Sequence, residues 1–414
     1  MKKSEKLFTL TALLFVFILF LSQCIHTNTR PDPRGSAFAR PQTCRQCHQA
    51  IYDSALFTAH FKASAAASAK DILGNFNAGY NSFIYDSSTK VVMEKRDSGL
   101  YQVLYKNGRA TEAHRFDVSF GITHAQTWLY WQNEHAWELP ISYYTAVNNW
   151  ATSPGFSAVV PNFKRLIGKD CFECHSSGIS NKKNTDAAGD YFAPAEITER
   201  LEKNSLIFGI DCQRCHGPAA QHVDYQLQHP AIKIAKYIVG NSSLNQQQQL
   251  DRCAVCHSGN DKIKLKSRFA FRPGDMLADF FMVSSSGSSN DFDVHGNQYN
   301  LLLQSKCFAL GKSMNCSSCH NPHNNARQTM ATYSKKCMEC HKEANDNFCT
   351  VTAATSISLK ENCIDCHMPK QSSRAINFQL SGSAEISTYL LRNHRIAIYI
   401  AEAKKKTKGV KHKM

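Results

Sequence analysis

One pentapeptide, Cys-x-x-Cys-His, occurs seven times in this chain and takes up 14 of its 17 cysteines. The copies are Cys44-Arg-Gln-Cys47-His48, Cys171-Phe-Glu-Cys174-His175, Cys212-Gln-Arg-Cys215-His216, Cys253-Ala-Val-Cys256-His257, Cys316-Ser-Ser-Cys319-His320, Cys337-Met-Glu-Cys340-His341 and Cys363-Ile-Asp-Cys366-His367. This pattern reads as a c-type haem attachment site. Two thiols three residues apart reach the two vinyl groups of one porphyrin. The adjacent histidine offers an imidazole to the iron from the same side. Zinc knuckles need paired ligand sets at finger spacing, whereas every pair here carries the same following histidine. Thioredoxin-like dithiols occur singly, beside a βαβ pattern. The sequence therefore encodes seven covalently bound haem c groups, each with its iron.

The spacing of the motifs divides the chain. The first stands alone, followed by 122 residues without another. The second, third and fourth come at steps of 41 residues, and the last three are crowded between Cys316 and His367. Expected units are a haem-1 module over 41–165, a module with haems two to four over 166–305, and a module with haems five to seven over 306–400. In the last unit the linking segments allow little more than a helix and a turn, so neighbouring porphyrins must lie nearly in contact.

Residues 1–23 carry Lys2, Lys3 and Lys6, then an apolar-rich run of 15 residues from Leu7 to Leu21. That run is short for a membrane span and fits a signal-peptide core. It ends in Leu21-Ser22-Gln23-Cys24, which resembles a bacterial lipobox except at Gln23. The expectation is export to the periplasm or outer surface with a lipid on Cys24 as membrane anchor, and residues 24–40 as a tether. The formal net charge of +15 does not point to nucleic acid. Part of it lies in the leader, six lysines lie in a basic tail over 401–414 expected to be disordered, and fourteen haem propionates balance the remainder.

The expected fold class is mainly α and irregular, a polypeptide wrapped around a haem stack, with one small antiparallel β insertion. The insertion is a meander over residues 88–120, where β-branched and aromatic runs are punctuated by Asp97-Ser98-Gly99 and Asn107-Gly108. Helices are predicted over Ile51 to Ala69, Pro194 to Leu206 and Ser383 to Tyr399. Residues 284–291, rich in serine, are predicted as a loop.

Each motif leaves one axial position of its iron open. Besides the proximal His48, His175, His216, His257, His320, His341 and His367, nine histidines outside the tether and tail remain for those positions: His60, His114, His124, His135, His222, His229, His295, His323 and His394. Low-spin bis-histidine ligation suits electron transfer, and the axial ligand sets the potential. His323 follows His320 by three residues, a maximal reach of about 10 Å. Two imidazoles on opposite faces of one iron need more, so His323 as a ligand would serve a neighbouring haem.

Several motifs together resemble the cytochrome c-552/4 family, related to cytochrome c-554 and to octahaem proteins. They are Cys44 to His48 with Tyr52 and Thr58-Ala-His60, Gly74-Asn-Phe76, and Phe120-Gly121-Ile-Thr-His124 with Trp128-Leu-Tyr130. Leu139-Pro-Ile-Ser-Tyr143, Cys212 to Pro218 with His222, Cys316 to His323, Cys363 to Pro369 and Asn393-His394 complete the set. The resemblance implies distal roles for His60, His124, His222, His323 and His394, and for His295. His114, His135 and His229 fit less well. Many relatives carry a tetratricopeptide array after the haem region, and none follows here.

Cys307 and Cys349 are left over, and an even pair in an oxidising compartment reads as a disulfide. Two function classes remain. One is an electron carrier between a quinol-linked donor and an unidentified redox partner. The other is a multihaem oxidoreductase acting on a small nitrogen or sulfur compound (nitrite, hydroxylamine, tetrathionate) at one open haem. The Cys-x-x-Cys-Lys variant of pentahaem nitrite reductases is absent, and every motif ends in histidine. The carrier reading is preferred, with no catalytic residue assigned.

Overall fold

The computed structural model describes residues 31–182, 199–282, 291–311, 313–325, 329–342, 348–349 and 360–402. The leader, Cys24 and the basic tail beyond residue 402 lie outside them. Among the described residues no helix is long and apolar enough to cross a membrane.

Among the described residues strand outweighs helix, 28% against 26%, so the fold is not mainly α as expected. The meander is present but shifted: it begins at Ser82 and ends at Arg115, and Val118–Phe120, expected in it, pairs into another sheet. Ser82–Ile84, Thr89–Arg96, Gly99–Lys106 and Arg109–Arg115 form a four-stranded antiparallel sheet. Asn107 and Gly108 both take positive φ (49° and 74°), the backbone of a tight two-residue hairpin. A second sheet of seven strands follows, ordered Ser64–Ala66, Val118–Phe120, Ala125–Gln132, His135–Glu138, Arg165–Ile167, with Ile141–Tyr144 and Asn149–Thr152 attached to its side.

Alternation along Ala125–Gln132 explains what that sheet does. Trp128 and Tyr130 face a core shared with the meander, packed by Phe83, Met93, Leu139, Ile141 and Trp150. Leu129, one residue out of phase, faces a second core with Val118, Ala136 and Phe172. Phe172 belongs to the second haem motif. The sheet therefore seats that motif on its far face.

Beyond Ile51 to Ala55, which are helical, the described parts of the three predicted helices give way to strand for one reason, residues 194–198 lying outside the described residues. Helix Pro41–Ala55 stops early, and Ser64–Ala66 pairs with Val118–Phe120. Leu201–Phe208 pairs with Ser176–Asn181, and Ile386–Arg392 with Lys370–Gln379. In each case a distant strand supplies the ladder, and tertiary pairing overrides local helix propensity. The serine-rich loop lies almost wholly outside the described residues.

Candidate haem attachment sites

Most of the motifs sit on short helical turns. Cys44 to His48 lie in Pro41–Ala55, with His48 itself out of helical geometry (φ −113°, ψ 40°). Lys169–His175, Cys212–His216 and Gln246–His257 each end on the proximal histidine. On a helix, residues i, i+3 and i+4 share a face, so both thiols and the imidazole of one motif point the same way. The turns are capped by their own sequence. Asp211 accepts the backbone N–H of Arg214 at 3.1 Å, and Asn245 with Gln248 forms a capping box.

Four proximal imidazoles face a second imidazole brought from elsewhere in the chain. His48 faces His222 at 6.4 Å between ring centres, with the rings 17° from parallel. His216 faces His323 at 5.9 Å and 15°, and His320 faces His394 at 6.2 Å and 30°. His257 faces His60 at 6.1 Å with the rings nearly perpendicular. Imidazole binds a first-row divalent metal at about 2 Å, and its ring centre lies roughly 1 Å behind the nitrogen, so a metal between two rings separates their centres by about 6 Å. All four pairs fit that spacing. His323 stands opposite His216 rather than opposite its sequence neighbour His320.

In four of the histidines the second ring nitrogen is held in the same manner. Nδ1–H donates to the Val239 carbonyl from His216 (2.8 Å), to Lys236 from His222 (2.9 Å), to Ala397 from His367 (2.9 Å) and to Arg392 from His394 (3.2 Å). Such a bond fixes the tautomer and leaves Nε2 as the ligand atom. His257 uses the Gln298 amide oxygen at 3.1 Å, and His124 engages the Tyr389 hydroxyl at 2.8 Å. His114 is the reverse: its Nε2 meets Glu112 at 2.6 Å, and its ring packs on Tyr130 and Phe163. Its ligand nitrogen is already engaged. His135 bonds the Asn133 carbonyl, and His229 lies against Tyr225. His295 is held by its backbone N–H to Asp293 at 2.6 Å, and its charge acts on His175. The ring of His175 lies flat against Phe120, 4.7 Å away.

Burial and neighbouring imidazoles keep these rings neutral. His60 is pushed down to about 4 by desolvation, then by His257 and His320. His394 is likewise pushed down to about 4, by burial first and His320 next. Burial lowers His175, His216, His320 and His323 as well. A neutral imidazole is the form that binds a metal.

The motifs also touch one another. The sulfurs of different motifs lie side by side in four pairs: Cys44 with Cys212, Cys174 with Cys256, Cys253 with Cys316, and Cys337 with Cys363. Cys307 and Cys349 are free thiols, so the bridge expected between them is not formed. Nothing in the sequence singled out the residues that lock motif to motif. Arg34 binds Asp32 and Asp211, and Arg268 lies between Glu173 and the Val255 carbonyl.

Residues 308–346, holding the fifth and sixth motifs, match the family described as the doubled CXXCH motif. The fold resembles the crystal structure of the Outer Cell Wall Cytochrome OcwA, with a TM-score of 0.54 at 16% identity over 89% of this chain and 82% of that one. Over 219 residues the sequence is 23% identical to the multiheme cytochrome MtrA of Shewanella baltica, covering 51% of this chain and 55% of the relative. It is a multihaem c-type cytochrome. This cytochrome is also 24% identical over 223 residues to the dissimilatory sulfite reductase MccA of Wolinella succinogenes, covering 48% of this chain and 27% of that protein. It thus spans about half the length of one curated relative and about a quarter of the other.

Proposed function

We propose that this cytochrome is an exported electron carrier holding seven haems, at least four of them between two histidines. The observation that carries the reading is the set of four imidazole pairs, His48 with His222, His60 with His257, His216 with His323, and His320 with His394, each near 6 Å between ring centres. When bound, the haem iron supplies a one-electron couple whose potential the axial ligands tune. The protein's part is to hold each imidazole neutral, fix its Nε2 outward and keep both axial faces filled. Filled faces favour exchange of electrons with partners over chemistry on a small molecule.

The contacts between thiols of different motifs support closely spaced haems, and with them transfer between a quinol-linked donor and an external acceptor. His124 and His295 stay as candidates for further axial positions. The N-terminal leader and Cys24 support export and a lipid anchor. Placement in the cytochrome c-552/4 family rests on the motifs quoted above.

A second reading has one observation behind it, the similarity to a dissimilatory sulfite reductase over half of the chain. In it, one iron lacks a distal histidine and acts on a small nitrogen or sulfur oxyanion. Low-temperature electron paramagnetic resonance of the oxidised holoprotein separates the two, recorded with and without nitrite, hydroxylamine or sulfite. Only low-spin signals, unmoved by all three, support the carrier. A high-spin signal that shifts on addition supports the oxidoreductase.

A further inference from the structure

Two guanidinium groups beside the third motif lack a carboxylate partner. Arg252 donates to the Asn241 side chain at 2.7 Å. Arg272 donates to the carbonyls of Phe269 and Phe271 at 2.8 and 3.1 Å. Asp275 accepts the backbone N–H of Arg272 rather than its guanidinium. Neither arginine forms an ion pair among the described residues, whereas nearby Arg34 is matched by Asp32 at 2.9 Å and Asp211 at 2.7 Å. Half-buried cations without an anion are costly, and burial lowers the pKa of Arg272, with Arg214 adding to it.

Both arginines lie at the site of one imidazole pair. Arg272 lines a trough of about 500 Å³ with His216, Pro218, Tyr237, Val239 and Pro273. The charge of Arg252 acts on both His216 and His323. An apolar trough beside a ligand imidazole, with one cation on its wall and a second acting on both rings of the pair, suits a flat macrocycle that carries carboxylates on one edge.

We propose that Arg252 and Arg272 bind the propionate carboxylates of the haem held between His216 and His323. The proposal rests on the ligation reading above for that one pair. A guanidinium paired with a carboxylate offers two parallel N–H donors, so arginine is the side chain suited to the task. Positive charge close to an iron favours its reduced form, so these two residues raise the potential of that haem relative to a site without them.

The test is a potentiometric titration of the holoprotein, followed by visible absorption and electron paramagnetic resonance, for Arg252→Gln, Arg272→Gln and the double substitution. Arg109→Gln, on an exposed strand of the meander, is the control. The expected result is a downward shift of one midpoint potential, larger in the double variant and absent in the control. Arg272→Lys keeps the charge and restores most of the potential, which keeps the test open if Arg272→Gln yields little holoprotein. No shift, or an equal shift of all components, overturns the proposal. A free anion is the competing occupant: if added sulfite or nitrite moves that same potential in the unsubstituted protein and not in Arg272→Gln, the arginines form an external anion site and the proposal fails. High-spin iron at His216 in the unsubstituted protein would instead count against the ligation reading, since the arginine shift is read from potential alone.

Discussion

The guanidinium of Arg268 lies 3.5 Å from the carboxylate of Glu173, and both side chains are almost wholly buried, 7% and 1% exposed. Glu173 is a spacer residue of the second motif. Arg268 also donates to the carbonyl of Val255, a spacer of the fourth, at 2.9 Å. The backbone carbonyl of Glu173 meanwhile accepts from Arg214 and lies 3.9 Å from the Cys256 sulfur. One buried ion pair thus joins two attachment sites that the chain places far apart.

Removing one charge of this pair leaves the other uncompensated in the interior. Glu173→Gln is expected to destabilise the holoprotein by about 3–5 kcal/mol, the cost of breaking a buried pair by deleting one partner. The double substitution Glu173→Gln with Arg268→Met removes both charges and is expected to cost less than the single one. Thermal unfolding followed by the Soret band measures both. Equal stability of Glu173→Gln and the unsubstituted protein would show that the Val255 carbonyl and the Asn260 side chain already satisfy Arg268 without a carboxylate.

Distal roles are tested one ring at a time. His60→Ala, His222→Ala, His323→Ala and His394→Ala are each expected to turn one low-spin iron high-spin. His114→Ala is expected to leave the spectrum unchanged, because Glu112 already holds its Nε2. Loss of low-spin signal in His114→Ala would show that the contact with Glu112 does not keep this ring from an iron.

Much of the site was legible in the sequence, and much of the fold was not. A pentapeptide fixes which cysteines and which histidine share a haem, since that chemistry is local. Pairing a proximal ring with its distal partner is not local: His60 meets His257 because Ile210 donates to the His60 carbonyl at 2.8 Å and Ser64 bonds both the His175 carbonyl and the Gly209 amide. Gly209 permits this only by lacking a side chain, for a Cβ there would fall 1.9 Å from the Phe61 carbonyl oxygen. The strands outside the meander went unread for a similar reason. In Ala125–Gln132 both faces are covered, so Trp128, Leu129 and Tyr130 form a continuous apolar run that does not alternate. The free state of Cys307 and Cys349 was likewise beyond a parity argument.

Acid should loosen the fold through His60 and His394. Both have folded-state pKa values of about 4, below the ordinary 6.5, so the unfolded chain takes up protons first. Their contribution to stability is fully present above pH 6.5 and is lost as pH falls to about 4. Protonation also removes the lone pair that a metal needs. The expected outcome is a melting temperature that declines between pH 6.5 and 4, with a weaker decline in His60→Ala. A flat profile across that window would mean that neither ring titrates on unfolding.

Haem number and thiol state are fixed by one count. Each attached haem consumes two cysteines, and Cys307 and Cys349 are free. Alkylation of the denatured holoprotein without reductant should therefore label Cys307 and Cys349 and no motif cysteine. Cys24 adds one label if it is present and not acylated. A disulfide between Cys307 and Cys349 removes both labels together, whereas each missing haem adds a pair on one identifiable motif. The two failures move the count in opposite directions, and peptide mapping names the residues. In the native protein Cys307 should react more slowly than in the denatured one at neutral pH, because burial raises its pKa.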